Sequence, residues 1–379
     1  MFKLFNQQLG SFNEDAFDVV LISSIMLLIA LGMTMVATTS MPISLDRFGF
    51  VYYFTSRHAI NICIALTATI VAYNIPINQW QKYVPSLVLL GIGALLMVLI
   101  FGHEINGSKR WLSIGIMNLQ VSEFIKIIFI MYIADFFERK RPWQDGLMGY
   151  LPLMTIFSIY VVLLILEPDF GSCFLLGVIM MFMLLASPLK LRYLIGLAFF
   201  GTMLIALLIW MEPYRMERLL SFTDPWKDRF GSGYQLVQSQ MAMARGGWFG
   251  VGLGHSMQKL FYLPESHTDF IFAVLVEELG GITALLMLFL YTLIIVRLIM
   301  LAKNMYAHNY FFACYIMLGW SQWIFLQVVI NTGGTIGILP IKGLTLPFIS
   351  YGGSSLVAHG IVLGIVLSAL STHSEHRYS

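Results

Sequence analysis

LPESHTDFIFAVLVEELGGITALLMLFLYTLIIV, residues 263–296, decides the fold. A polar head ends at Asp269, and from Phe270 to Val296 the chain is apolar apart from Glu277 and Glu278. A helix needs about 20 mostly apolar residues to cross a bilayer, and this run exceeds that. Carboxylates inside such a run are costly and are retained where they have a partner or a task.

The pattern recurs on both sides. Residues 19–45, 58–81, 83–103, 146–166, 170–189, 193–211, 304–341 and 343–374 carry no Asp, Glu, Lys or Arg. Trp111–Ala134 is apolar except for Glu123 and Lys126. These runs predict an all-α polytopic integral membrane protein with about ten transmembrane helices. Their expected positions are 17–38, 57–75, 84–101, 116–137, 147–166, 170–186, 190–211, 269–300, 310–332 and 346–370. The first run is longer than the apolar core of a signal peptide and is expected to be a span. Residues 1–379 read as one membrane domain. Within it, 212–268 form a large extracytoplasmic loop between helices 7 and 8.

Composition agrees. Of 379 residues, 58% are hydrophobic and 11% charged, against about 25% charged in soluble domains. Mean hydropathy is +0.80. A soluble enzyme, a disordered chain and a nucleic-acid binder are excluded. Net charge is +2, so no global field selects an acidic partner. The three cysteines lie in apolar stretches and offer neither a disulfide framework nor a metal spacing. Ten spans put both termini on one side. That side carries 10 basic residues in its tails and loops against 5 in the short loops opposite, so the positive-inside rule makes both termini cytoplasmic.

A structureless loop as long as 212–268 is uncommon and usually functional, with a flexible connector as the alternative. Residues 233–244 (GYQLVQSQMAMA) predict a short amphipathic helix. Leu236, Met241 and Met243 are expected at the membrane interface, with Gln235, Gln238 and Gln240 facing polar groups. The glycine-rich 246–254 allows close backbone approach. Pro264 suits a helix start, with Ser266 or Thr268 as cap, which puts Asp269 in the first helical turn.

Other polar groups are few enough to weigh singly. Glu123 and Lys126 share a helix face at i, i+3, as a self-neutralising pair or as a polar wall. Arg110-Trp111 is an interfacial anchor or a phosphate contact. Glu167-Pro168-Asp169-Phe170-Gly171 reverses the chain, with Asp169 capping the next helix or facing the same outer cavity as Asp269. Residues 335–355 interrupt an apolar run with two prolines and several glycines, a pattern tolerated where backbone lines a cavity. Lys342, the one charge between Lys303 and Glu375, snorkels or meets an anion: Asp269 or a bound phosphate. No zinc spacing and no nucleotide-binding P-loop occurs.

Residues 263–280 together resemble the signature of the SEDS family of bacterial shape, elongation, division and sporulation proteins. Arg110-Trp111-Leu112, the Glu-x-x-Lys at 123–126, Glu167-Pro168-Asp169-Phe170-Gly171 and Pro347…Ser350-Tyr351-Gly352-Gly353-Ser354 also match it. Asp224-Pro225-Trp226, 232–239 and Ile341-Lys342-Gly343-Leu344-Thr345 are more similar to its division branch than to its elongation branch. Ala244-Arg245-Gly246-Gly247-Trp248 departs from the acidic form common there.

The resemblance implies a peptidoglycan glycosyltransferase that polymerises lipid II, a disaccharide-pentapeptide on undecaprenyl diphosphate. It implies the outer face of the bacterial inner membrane, at the septum. The implied partners are a class B penicillin-binding protein and other divisome membrane proteins, without nucleic acid. Asp269 is the expected base. Lys342, Arg110, Arg215, Arg245 and Lys259 are expected to hold the diphosphate, and Glu123, Lys126 and Asp169 to shape the cavity. Ser350 and His267 are expected to line the substrate. No tightly bound cofactor is expected, although a divalent cation (Mg2+ or Mn2+) could assist. The alternatives are an elongation-branch polymerase, a lipid II flippase and a non-catalytic scaffold.

Overall fold

The computed structural model describes residues 18–105, 108–114, 117–140, 148–210 and 222–378. Its helices are α1 (Val19–Phe48), α2 (Tyr53–Tyr73), α3 (Ile77–Phe101), α4 (Val121–Lys140), α5 (Leu151–Leu166), α6 (Phe170–Ala186) and α7 (Leu191–Trp210). They continue with α8 (Tyr234–Gly246), α9 (Ile271–Ala307), α10 (Phe311–Ile336) and α11 (Gly353–Tyr378). Each expected apolar run carries a helix. Among the described residues, seven helices are long and apolar enough to cross a membrane. Of the others, α6 and the apolar part of α7 are shorter, and α4 carries Glu123, Lys126, Asp135, Glu138, Arg139 and Lys140.

α10, α11 and α4 form the centre, around the fully buried Trp320, Trp323, Phe129 and Phe137. α2, α3, α5 and the inner part of α9 turn broad apolar faces outward. α2 lies on α11 through small residues. A Cβ at Gly360 would come within 2.7 Å of the Ala65 carbonyl oxygen, and Thr69 Oγ1 donates to the Gly360 carbonyl at 2.9 Å. Small residues allow such close approach where lipid supplies no hydrophobic drive between helices.

Several boundaries differ from expectation. α1 runs on through Pro42 to a left-handed Gly49 (φ 65°). The last helix begins at Gly353, because 346–352 fold as irregular turns instead of its first turns. The all-α expectation also gains a small sheet: β1 (His103–Ile105), β2 (Ser108–Ile114) and β3 (Met117–Gln120) form an antiparallel meander. It pairs Trp111 with Gln120 and Ser113 with Asn118. Ser354 Oγ accepts from Gln120 N at 2.9 Å and ties the sheet to the start of α11.

The described part of the long loop, residues 222–268, is folded onto the bundle. α8 buries Leu236, Val237, Ser239 and Ala242 against protein. Ser239 Oγ donates to the Thr335 carbonyl at 2.8 Å, and Gln240 Nε2 to the Ile336 carbonyl at 3.1 Å. Leu236 therefore packs inside instead of entering the membrane interface, while Met241 stays exposed. α9 starts at Ile271 with Phe270 as N-cap and no side-chain cap. Ser266 and Thr268 do not cap it, and Thr268 Oγ1 turns back to Glu265. Asp269 thus precedes the helix.

α9 is broken at Gly280 (φ 85°, ψ 171°), a conformation that favours glycine. The break frees backbone groups that the glycine-rich strand satisfies. Val251 N and Gly252 N donate to the carbonyls of Glu277 and Glu278 at 2.9 and 3.0 Å. Gly281 N and Ile282 N donate to those of Gly247 and Trp248 at 2.9 and 3.2 Å. A Cβ at Gly250 would lie 2.2 Å from the Glu278 carbonyl oxygen, so the expected close approach is made, and against this chain's own backbone.

Candidate active site

Asp269 is half-buried at the end of the long loop, two residues before α9. Gly343 faces it: a Cβ there would stand 2.9 Å from Asp269 Oδ2. The two strands are laced together on either side. Asn331 Nδ2 donates to the Asp269 carbonyl at 2.9 Å and to the Leu344 carbonyl at 2.7 Å. Ser350 Oγ donates to the Thr268 carbonyl and accepts from Leu346 N, at 2.7 and 2.8 Å. Tyr351 N donates to the His267 carbonyl at 3.0 Å, and the Tyr291 hydroxyl donates to the Pro347 carbonyl.

Lys342 precedes Gly343, and its Nζ lies 3.8 Å from the ring centroid of Phe174 on α6. Burial pushes its pKa below the usual lysine value, with a smaller opposing influence from Cys173. One turn earlier on α6, Leu344 Cδ2 is 3.3 Å from where a Cβ on Gly171 would stand. Asp169 caps α6, accepting from Ser172 N and Oγ at 3.2 and 2.7 Å. Arg110 on β2 donates to the Pro168 carbonyl, with Nη1 3.9 Å from Asp169 Oδ1. The 342–344 segment thus joins Asp269 on one side to Lys342 and the Arg110–Asp169 turn on the other.

The remaining expected residues are placed elsewhere. Lys259 Nζ binds Glu278 Oε1 at 2.7 Å, and Arg245 Nη1 binds Glu277 Oε1 at 2.9 Å. Glu277 also accepts from Ser256 Oγ and from Met257 N. These two cations clasp the loop onto α9, because its carboxylates are fully buried and need charged donors. Glu123 and Lys126 form a sealed 2.6 Å pair within the bundle. Lys126 lies 5.1 Å over Trp323, which stacks on His359 at 4.1 Å. The self-neutralising reading fits this better than an open polar wall.

His267 sits among aromatics, 5.1 Å from Phe54 and 5.8 Å from Tyr351 by ring centroids. Burial pushes its pKa down, Glu265 raises it and Arg47 lowers it. Ser350 is committed to holding the loop. Arg215 lies outside the described residues.

Asn331 was not named from the sequence, and Gly343 and Glu167 entered only as members of longer motifs. Asn331 is one of three amides in the apolar 311–336 run, with Gln322 and Gln327, and the Thr332-Gly333-Gly334 that follows it is what sets it apart. Among the described residues no group of three or more His, Cys, Asp or Glu side chains comes together as a metal-ligand set.

Known proteins match this chain over nearly its whole length. The probable peptidoglycan glycosyltransferase FtsW of Coxiella burnetii is 45% identical over 94% of this chain and 96% of its own. That of Pseudoalteromonas translucida is 42% identical over 94% and 89%. Among solved structures, a peptidoglycan synthase complex that coordinates polymerization and crosslinking matches with a TM-score of 0.74 at 26% identity, covering 94% of this chain and 98% of the other. The rod shape determining protein RodA of Thermus thermophilus matches with a TM-score of 0.69 at 25% identity, over 96% and 98%. The family model for FtsW, RodA and SpoVE, described as cell cycle protein, matches residues 18–376, and the chain belongs to that family.

Proposed function

We propose that this chain is a septal peptidoglycan glycosyltransferase that polymerises lipid II at the outer face of the bacterial cytoplasmic membrane. The observation that carries the reading is the placement of Asp269 against Gly343, one residue from Lys342. Relatives at 40–45% identity named FtsW support the division role over the elongation role.

The acceptor is a sugar 4-hydroxyl, whose high pKa demands a positioned base. Asp269 takes that proton as the oxygen bonds to the donor anomeric carbon. The bond from that carbon to the diphosphate oxygen breaks, and the electron pair leaves with the diphosphate. A single displacement inverts the α-linked donor to a β-linked product. Lys342 and Arg110 stabilise the charge that develops on the leaving group. Asn331 and Ser350 act through backbone carbonyls and fix where Asp269 stands.

Both termini face the cytoplasm, and a class B penicillin-binding protein cross-links the emerging strands. The synthase complex among the structural neighbours supports such a partner. A flippase would need a polar path to the inner side. The deep charges Glu123 and Lys126 are closed on each other, which supports the polymerase reading.

The test is lipid II polymerisation by the purified protein with its class B partner. Wild type is expected to make glycan strands, and Asp269→Ala none while retaining the partner. Wild-type turnover in Asp269→Ala would remove the base assignment. Transbilayer movement of lipid II without polymer would favour the flippase.

A further inference from the structure

The α5–α6 turn holds a carboxyl group that the reaction above leaves unused. Glu167 closes α5 as its C-cap residue. It is 1% exposed, and its Oε1 has no hydrogen-bond partner. A buried carboxylate is ordinarily paired or receives N–H donors. Three features oppose a charge here. The side chain is out of water, it sits at the negative end of the α5 dipole, and Asp169 stands two residues on. Asp169 is the better-served carboxylate, with two donors from Ser172 and with Arg110 facing it. Burial first, then Asp169, push the Glu167 pKa up to about 8, against a smaller pull from Arg110.

Arg110 is held loosely. Its Nη1 is 3.9 Å from Asp169 Oδ1, beyond hydrogen-bond reach, and its side chain is 30% exposed. The second attachment is the neutral Pro168 carbonyl. With Glu167 as the acid, one carboxylate competes for the guanidinium. With Glu167 ionised, two would.

We propose that Glu167 is a positioning residue for Arg110: as the acid it leaves the guanidinium available to an anionic oxygen of the substrate, and as the carboxylate it draws it into the turn. The proposal rests on the reading of Arg110 as a diphosphate contact. The sign follows from the direction of titration. Rising pH ionises Glu167, so substrate affinity falls on the alkaline side. The groups facing Glu167 are Arg110 from β2 and Asp169 from the turn, with Cys173 of α6 close by. Lys342 shares the electrostatic influence of Cys173, and it also loses charge on the alkaline side. Only the difference between variants that share Lys342 is therefore diagnostic.

Glutamine carries the neutral form at every pH. The experiment measures KM for lipid II at pH 7 and pH 9, with the class B partner present, in wild type and Glu167→Gln. For a group titrating at about 8, the neutral fraction falls from about 0.9 to about 0.1 over this range. The wild-type KM is expected to rise about tenfold more than that of Glu167→Gln, with kcat changing equally in both. Glu167→Gln is expected to polymerise within about twofold of wild type at pH 7. Parallel KM profiles, or a large loss at pH 7 in a monodisperse Glu167→Gln, overturn the proposal. If Glu167→Gln does not fold, Arg110→Gln serves, because ionised Glu167 then has nothing to capture. Its KM rise must lack the tenfold component, and a rise equal to that of wild type overturns the proposal. A wild type that makes no polymer at either pH would instead overturn the proposed function.

Discussion

Gly343 stands against Asp269 so closely that a Cβ on it would lie 2.9 Å from Asp269 Oδ2. The atom in the way is the end of a side chain, so a methyl group is accommodated by turning the carboxylate and not by moving backbone. Gly343→Ala is therefore expected to fold with little change in thermal stability. Polymerisation should fall by about a hundredfold, the cost of a misplacement near 1 Å. Detergent-phase melting and lipid II turnover measured on one preparation check this. Full activity would mean that Asp269 does not act from this position.

Lys342 sits over the Phe174 ring, half-buried, with its pKa pushed down by burial. Rising pH discharges it sooner than an exposed lysine, so its hold on an anion weakens on the alkaline side. Lys342→Arg keeps the charge across that range and is expected to flatten this part of the KM profile. Lys342→Ala is expected to raise KM for lipid II about tenfold or more, as loss of a charge-assisted contact does, while thermal stability stays near wild type. Unchanged KM in Lys342→Ala would exclude the contact.

The Lys259–Glu278 pair is sealed, with side chains 7% and 0% exposed. Removing one partner leaves a buried charge, a loss of about 3–5 kcal/mol. Lys259→Met should lower thermal stability accordingly, and Lys259→Met with Glu278→Leu should regain most of it. If the single variant melts like wild type, the clasp contributes nothing.

Much of the fold was legible because a bilayer demands long apolar runs, and the gaps between charges mark them without reference to tertiary contacts. Asp269, Glu277 and Glu278 stood out for the same reason: scarce charges are conspicuous in an apolar chain. Their partners did not. Arg245 and Lys259 looked like anion clamps because a loop cation has no visible destination in sequence, and the break at Gly280 that brings them to α9 is a tertiary event. The meander at 103–120 was hidden because its short strands run straight into α4. Glu167 was read as part of a turn motif, since only burial shows that its Oε1 lacks a donor.

The break in α9 also divides the helix mechanically. Its inner part, 281–307, is anchored to α1 by Arg297 Nε at 2.5 Å from Asp18 Oδ2. Its outer part, 271–279, is about 13 Å long at 1.5 Å per residue and is gripped by the loop strand at one end while carrying Asp269 at the other. Residues 247–252 splint the break, since they bond to Glu277 and Glu278 on one side of Gly280 and to Gly281 and Ile282 on the other. The two parts of α9 are thereby tied to each other through the loop, and the splint keeps the part that follows Asp269 in register with the rest of the helix.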